Sequence, residues 1–332
     1  MTQFKRGLSP ECGDALRHLA KKDGHNWWKD VLASGKLLLA VRGGYLSAYA
    51  MGQSIFKIGS EKGTGVDKEG LRVEVHYKYL IEPKSKARTP YVRFDGKNFK
   101  IKPSDVVQIR YDSEEALNRM IRTASRYSGP EKTGVHQIAQ SEPKVVDLEI
   151  AFTRSGDPGQ KSTAPRMDLA VLIPWERGEA CLVFCEAKCA DNVELWMPPR
   201  DESAAGEASI AVVAQLRKYE KFIQENTNAL VPAYRNVCQT LTDLHEQGST
   251  RKLDDLVYHV ADGRRSLSIH PNVFLLVFGF DADQKRGALK KTLAALGDTS
   301  LGNRIIAKGK PGSFSLAEDI RACLAGDARP KR

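Results

Sequence analysis

Residues 166–191 read RMDLAVLIPWERGEACLVFCEAKCAD, and the parsing of this stretch decides the fold. Two apolar runs, Met167–Trp175 and Ala180–Cys189, flank a short polar turn at Glu176–Glu179. Continuous apolar runs of this length, bounded by Pro, Gly and charges, suit strands buried on both faces. Three ionisable residues interrupt them: Asp168, Glu186 and Lys188. Burying charge is costly unless the charges are paired or hold a metal, so their presence needs a reason. Side chains two apart on a strand project to the same face, which puts Glu186 and Lys188 together. An antiparallel hairpin brings Asp168 beside them.

Two carboxylates hold a hard cation such as Mg²⁺ through oxygen, and the backbone carbonyl of Ala187 offers a third ligand. Lys188 then stands where it orients a water or helps to deprotonate it. Such a set suits metal-assisted hydrolysis of a phosphodiester. An ordinary salt-bridged strand pair would carry the same three residues. An acid two residues before a Lys also recurs at Glu82-Pro83-Lys84, Asp95-Gly96-Lys97, Glu142-Pro143-Lys144 and Asp283-Gln284-Lys285. Pro in the first and third argues against a central strand. Asp95-Gly96 reads as a hairpin turn, and the fourth follows its strand instead of ending inside it.

An Asp on one strand and Glu186-Ala187-Lys188 on the next resembles the PD-(D/E)XK nuclease superfamily. The usual Pro before the Asp is absent; Met167 occupies that position and Pro165 lies two residues earlier. Downstream, SIAVVAQLRKYEKFIQENTNA has apolar residues at helical spacing through Ile210, Val213, Leu216, Phe222 and Ile223. Gln215 and Tyr219, four apart, share one face of that helix. A Gln-x-x-x-Tyr helix after the Glu-x-Lys strand resembles the RecB-like branch of the superfamily. The resemblance covers about the C-terminal two-thirds of the chain. It implies an α/β fold, a restriction-endonuclease-like mixed sheet flanked by helices, and a nuclease dependent on Mg²⁺ or Mn²⁺. Carried over residue by residue, it makes Asp168, Glu186 and the Ala187 carbonyl the metal ligands and Lys188 the group that positions water. Gln215 and Tyr219 would hold the nucleic-acid strand. In the family an acid on the helix before the sheet often joins the metal; Glu115, or its neighbour Glu114, is the candidate here. Compensation of the positive end of the helix dipole is the more economical account of both acids.

The rest of the chain sets bounds. The 332 residues, 41% apolar and 8% aromatic, describe a globular protein of one large or two ordinary domains. No apolar run reaches membrane-spanning length, and residues 1–16 lack a signal-peptide core. Six scattered cysteines form no disulfide framework, which points to the cytoplasm. Cys181, Cys185 and Cys189 share a strand face but lie roughly 13 Å apart in sequence steps of four, too far to bind one metal. Residues 1–110 hold 21 Lys and Arg against 11 Asp and Glu, whereas residues 111–332 hold 30 against 30. All the excess positive charge thus lies in the first third, as a phosphate-binding attachment or a solvated basic surface would have it. The expected division is a basic α+β domain over 1–110 and a nuclease domain over 111–332.

Along the first domain we expect helices at 10–22 and 26–33, with Trp27 and Trp28 in a small core. A hairpin turning at Gly43-Gly44, strands at 53–58 and 71–81, and a further hairpin at 91–101 with Asp95-Gly96 at its tip follow. Lys78, Lys84, Lys86, Arg88, Arg93, Lys97, Lys100 and Lys102 concentrate on the last strands and make that ribbon the expected nucleic-acid contact. Beyond it we expect a helix at 114–127, a loop at 132–143 and strands at 144–152 and 272–280. Helices are expected at 208–229, 235–247, 283–296 and 316–325, with a loop at 249–266 and an irregular flap at 192–207. DNA is the expected partner, with RNA, strandedness and endo- or exonucleolytic action left open. A homodimer would serve duplex cleavage, and any ATPase or helicase would be a separate chain. A non-cleaving nucleic-acid-binding protein of the same fold is the alternative; it should lack a catalytic position, and all three are present.

Overall fold

Both apolar runs become neighbouring strands of one sheet. The computed structural model describes residues 4–60, 70–80, 90–102, 107–152, 166–198 and 210–327, with only the backbone of Arg177. The chain divides into two units. One comprises Lys5–His136 and Asn236–Leu253; the other comprises Met1–Phe4, Gln137–Arg235 and Asp254–Arg332. Residues 5–110 of the expected first domain all fall in the former, together with 111–136 and 236–253.

That unit opens with α1 (Pro10–Lys21), whose N-cap Ser9 accepts the Cys12 N–H at 3.2 Å while Pro takes the first turn. Asn26 caps α2 (Trp27–Ala33) in the same way. An antiparallel meander follows: β1 (Leu38–Val41), β2 (Tyr45–Ala50), β3 (Gln53–Gly59), β4 (Arg72–His76) and β5 (Tyr91–Phe94), in sequence order across the sheet. Trp27 and Trp28 are buried as expected, and the Trp27 ring lies 5.8 Å from Phe56 and 5.7 Å from Phe94. The expected strand at 71–81 stops at His76, where a 3₁₀ turn, Tyr77–Tyr79, begins. Helix α3 (Glu114–Ser125) buries Ala116, Leu117, Met120, Ile121 and Ala124 on one face.

The expected loop at 132–143 is instead helix α4 (Pro130–Ser141). Its apolar residues are few, but Val135, Ile138 and Ala139 fall at helical spacing and are all buried. The other unit then builds a mixed sheet from β6 (Val145–Ala151), β7 (Arg166–Pro174), β8 (Ala180–Cys189), β9 (Leu267–Ile269), β10 (Phe274–Phe278) and β11 (Ile305–Ala307). The order is β11-β10-β8-β7-β6. Strands β6, β7 and β8 pair antiparallel. β10 joins β8 in parallel along its second half, β9 joins β8 in parallel along its first, and β11 extends β10.

All ten residues of β8 are buried, which explains why its sequence is apolar apart from Glu186 and Lys188. Helix α5 (Ala211–Glu246) covers one face, with Phe222 4.4 Å from Phe152 and Tyr234 5.6 Å from Phe184, ring to ring. It is one helix of 36 residues, not the two expected, and it runs through Pro232. Helices α6 (Asp255–Ala261), in the expected loop at 249–266, and α9 (Leu316–Asp327) pack against β7. The expected helix at 283–296 is broken at Gly287 into α7 (Ala282–Arg286) and α8 (Ala288–Gly297). The class is therefore α/β, with a mixed sheet between helices.

Candidate active site

The register of the central hairpin decides which side chains meet. β7 and β8 pair Leu169 with Cys185 and Ala170 with Phe184, so the next step outward sets Asp168 opposite Glu186. Opposed residues of an antiparallel pair share a face, and Lys188, two beyond Glu186, shares it too. The hydrogen bonds agree. The Ala187 N–H donates to Asp168 Oδ2 at 2.8 Å, and Lys188 Nζ donates to Glu186 Oε1 at 2.7 Å. Glu186 and Lys188 are 3% and 5% exposed, so the ion pair works at low dielectric.

Helix α5 adds its pair from above this face. Gln215 Nε2 donates to Glu186 Oε1 at 2.9 Å and lies 2.7 Å from the Tyr219 hydroxyl. Gln215 Oε1 is buried and accepts no hydrogen bond among the described residues. The Tyr219 phenol is pushed above its usual range by burial first and by the Glu186 charge second. The five side chains singled out in the strand pair and the helix, Asp168, Glu186, Lys188, Gln215 and Tyr219, thus form one cluster.

Two carboxylates join them that the sequence pattern does not single out. Glu194, on a 3₁₀ turn (Val193–Leu195) just after β8, places Oε2 2.8 Å from Lys188 Nζ. Lys188 is therefore clamped between Glu186 and Glu194. The only sign of it in sequence is Asn192, which caps the turn through the Glu194 N–H at 3.0 Å. Glu149 lies on β6, where the pairs Leu148–Leu169 and Ile150–Met167 set it opposite Asp168. Its φ of 50° is left-handed, uncommon for any residue but glycine. An acid in the middle of a core strand was the available signal.

Asp168 keeps partial solvent contact, yet its carboxyl is driven well above the ordinary carboxylate range. Burial is the main cause, the Glu186 charge the second, and Glu149 adds to both; the Ala187 N–H and Lys188 oppose them. The behaviour is that of crowded carboxylates with more negative charge than Lys188 alone offsets.

Hard oxygen donors in that condition fit a divalent cation. No group of three or more His, Cys, Asp and Glu side chains among the described residues is arranged to hold a metal. The expected donor set, two carboxylates and the Ala187 carbonyl, contains only two such side chains. Glu115 belongs to the other unit and pairs with Arg122 at 2.5 Å. Cys181 and Cys185 are buried on the opposite strand face, and burial raises both thiols, Cys181 to about 11.

Of the basic ribbon, Lys84, Lys86 and Arg88 lie outside the described residues. Arg93 on β5 and Lys97 just beyond it are exposed, as is Lys102. Lys100 is held by Asp95 at 2.5 Å. Lys78 is half-buried, bonds Gln53 Oε1 at 2.7 Å and lies 5.0 Å from the Tyr127 ring centre. Among the described residues of the ribbon, Lys78 and Lys100 are thus already engaged within the fold. No family model, curated protein or solved structure matches the chain. Among the described residues no helix is long and apolar enough to cross a membrane.

Proposed function

We propose that this chain is a metal-dependent nuclease of the PD-(D/E)XK type with a restriction-endonuclease-like core, hydrolysing phosphodiester bonds in nucleic acid, DNA first. The observation that carries the reading is the meeting of Asp168, Glu186 and Lys188 on one face of the β7–β8 hairpin. The order β6, β7, β8, α5, β10 agrees with the family core, and Gln215 and Tyr219 reach the same cluster from α5.

Asp168 and Glu186, with the Ala187 carbonyl, would hold Mg²⁺ or Mn²⁺. A bound ion supplies Lewis-acid polarisation of the phosphodiester and lowers the pKa of a water. Glu186 and Glu194 hold the Lys188 ammonium in place, from where it would position the attacking water and stabilise developing negative charge. Gln215 fixes the Glu186 carboxylate and keeps the Tyr219 hydroxyl beside it. The exposed Arg93 and Lys97 supply phosphate contacts largely independent of sequence. The biological setting in this reading is defence, restriction or repair.

The test is incubation of the purified protein with plasmid and with single-stranded DNA in Mg²⁺ or Mn²⁺, beside Asp168→Ala and Lys188→Ala. Cleavage by the wild type that is lost in both variants and in EDTA is expected. Cleavage that survives both substitutions would refute the site. An inert wild type with salt-sensitive DNA binding would favour the non-cleaving reading.

A further inference from the structure

The turn after β8 carries a surface that the cleavage chemistry does not use. Leu195 is fully buried and pins the turn, and Glu194 reaches back to Lys188 at 2.8 Å. On the far side the Met197 carbonyl accepts the Ala211 N–H at 2.8 Å, tying the turn to the start of α5, one helical turn before Gln215. Held at both ends, it nevertheless leaves Val193 52%, Trp196 45% and Met197 52% exposed. Among the described residues six large apolar side chains are exposed, and three of them fall within residues 193–197. The other tryptophans are not so placed: Trp27 and Trp28 are buried and Trp175 half-buried.

A cluster of apolar side chains kept in water on a well-anchored turn marks a binding surface. The ligand follows from its neighbours. Trp196 follows by two residues the Glu194 that reaches Lys188, so the exposed indole is carried on the segment leaving the cluster to which the phosphodiester reading assigns the scissile bond. Every nucleobase offers a π-face to an aromatic ring, whatever its identity. In a duplex those faces are already covered by the bases above and below, whereas an unpaired base has one to give.

We propose that Trp196 is a stacking platform for an unpaired base, flanked by Val193 and Met197, and that the substrate is single-stranded at the cleavage point. The proposal rests on the nuclease reading for the choice of nucleic acid as ligand. It assigns the turn a role in choosing the substrate, separate from the carboxylates and Lys188.

Tryptophan fluorescence tests it in EDTA, where cleavage cannot interfere. A short oligothymidylate is titrated into the wild type, Trp196→Phe and Trp196→Ala, with affinity read separately from the anisotropy of a labelled oligonucleotide. Quenching is expected in the wild type and absent in Trp196→Phe, because the reporting indole is gone. Affinity should hold in Trp196→Phe, which still stacks, and fall at least about fivefold in Trp196→Ala, the loss of one base–aromatic stack. A blunt duplex of equal length should give no quenching. Unchanged oligothymidylate affinity in Trp196→Ala would overturn the platform and leave the patch to a protein partner. Equal quenching by duplex would overturn the single-strand assignment. Both measurements are made without turnover, so the two failures are distinguishable: a wild type inert in Mg²⁺ but quenched by oligothymidylate would sink the nuclease reading, and with it the cleavage point, while keeping the stacking platform.

Discussion

At the scale of single residues, the cluster concentrates acid where folding alone would not put it. Glu186 and Glu194 both hold the Lys188 ammonium, Asp168 feels the charges of Glu186 and Glu149, and Glu149 adopts a left-handed backbone on a core strand. Such a backbone costs about 1–3 kcal/mol in a residue with a side chain. The raised Asp168 carboxyl translates into a stability prediction. A carboxyl whose folded pKa exceeds its unfolded value of about 4 binds its proton more tightly in the native state. Stability is then fullest below that value and falls as pH climbs through the raised one. Asp168→Asn keeps an acceptor for the Ala187 N–H and removes the charge. In EDTA at pH 7 it should therefore melt higher than the wild type, by about 2–4 °C for each kcal/mol relieved, with the gap closing near pH 4. Mg²⁺ should raise the wild-type Tm by mass action and leave the variant where it was. Equal melting of the two proteins at both pH values would mean that the carboxyl is not strained by its neighbours.

At the scale of elements, helix α5 matters most, because it brings Gln215 and Tyr219 to Glu186 and continues well beyond. A residue that orients a ligating carboxylate acts at one remove, and its loss typically costs about 10- to 100-fold in metal affinity or activity. Gln215→Ala should lower cleavage by that order and weaken Mn²⁺ activation, with circular dichroism unchanged. A variant as active as the wild type, at the same Mn²⁺ requirement, would make the Gln215–Glu186 bond a packing detail. The motif was readable because a strand period of two and a helix period of four fix which residues face each other. The central hairpin was readable for the same reason, since its two apolar runs are interrupted only by the site. The length of α5 was not. Pro232 removes one hydrogen-bond donor and crowds the preceding turn, so sequence places a break there. Burial of Leu230, Ala233, Tyr234, Val237 and Cys238 on both sides of it keeps the helix continuous. Helix α4 escaped because its apolar positions are few and the rest of its face is polar. Glu194 and Glu149 escaped because they meet the site through strand register and a three-residue turn, which no periodicity announces.

At the scale of the whole molecule, charge is the feature that sequence states most plainly and structure qualifies most. The excess of Lys and Arg lies in residues 1–110, whose residues 5–110 belong to the unit built on the antiparallel meander. Within it Lys100 is engaged by Asp95 and Lys78 is half-buried against Gln53 and Tyr127. Glu74 faces Arg93 across the strands while it also holds Arg72 at 2.7 Å. Net charge therefore overstates how many cations are poised to meet phosphates. Arg93 and Lys97, both exposed, are the described positions where the expectation is sharpest. Neutralising one cation that meets a phosphate should lower the slope of log affinity against log salt by roughly 0.7 on a single strand. Replacing both with Gln should weaken binding alike across sequences and flatten that slope by about twice this amount. Cleavage at saturating substrate should be unchanged, because neither residue belongs to the unit holding Asp168 and Glu186. Anisotropy titrations over a series of salt concentrations measure the slope directly. A slope identical to that of the wild type would assign these two cations to solvent, and the nucleic acid would then be held by the site cluster and Trp196 without them.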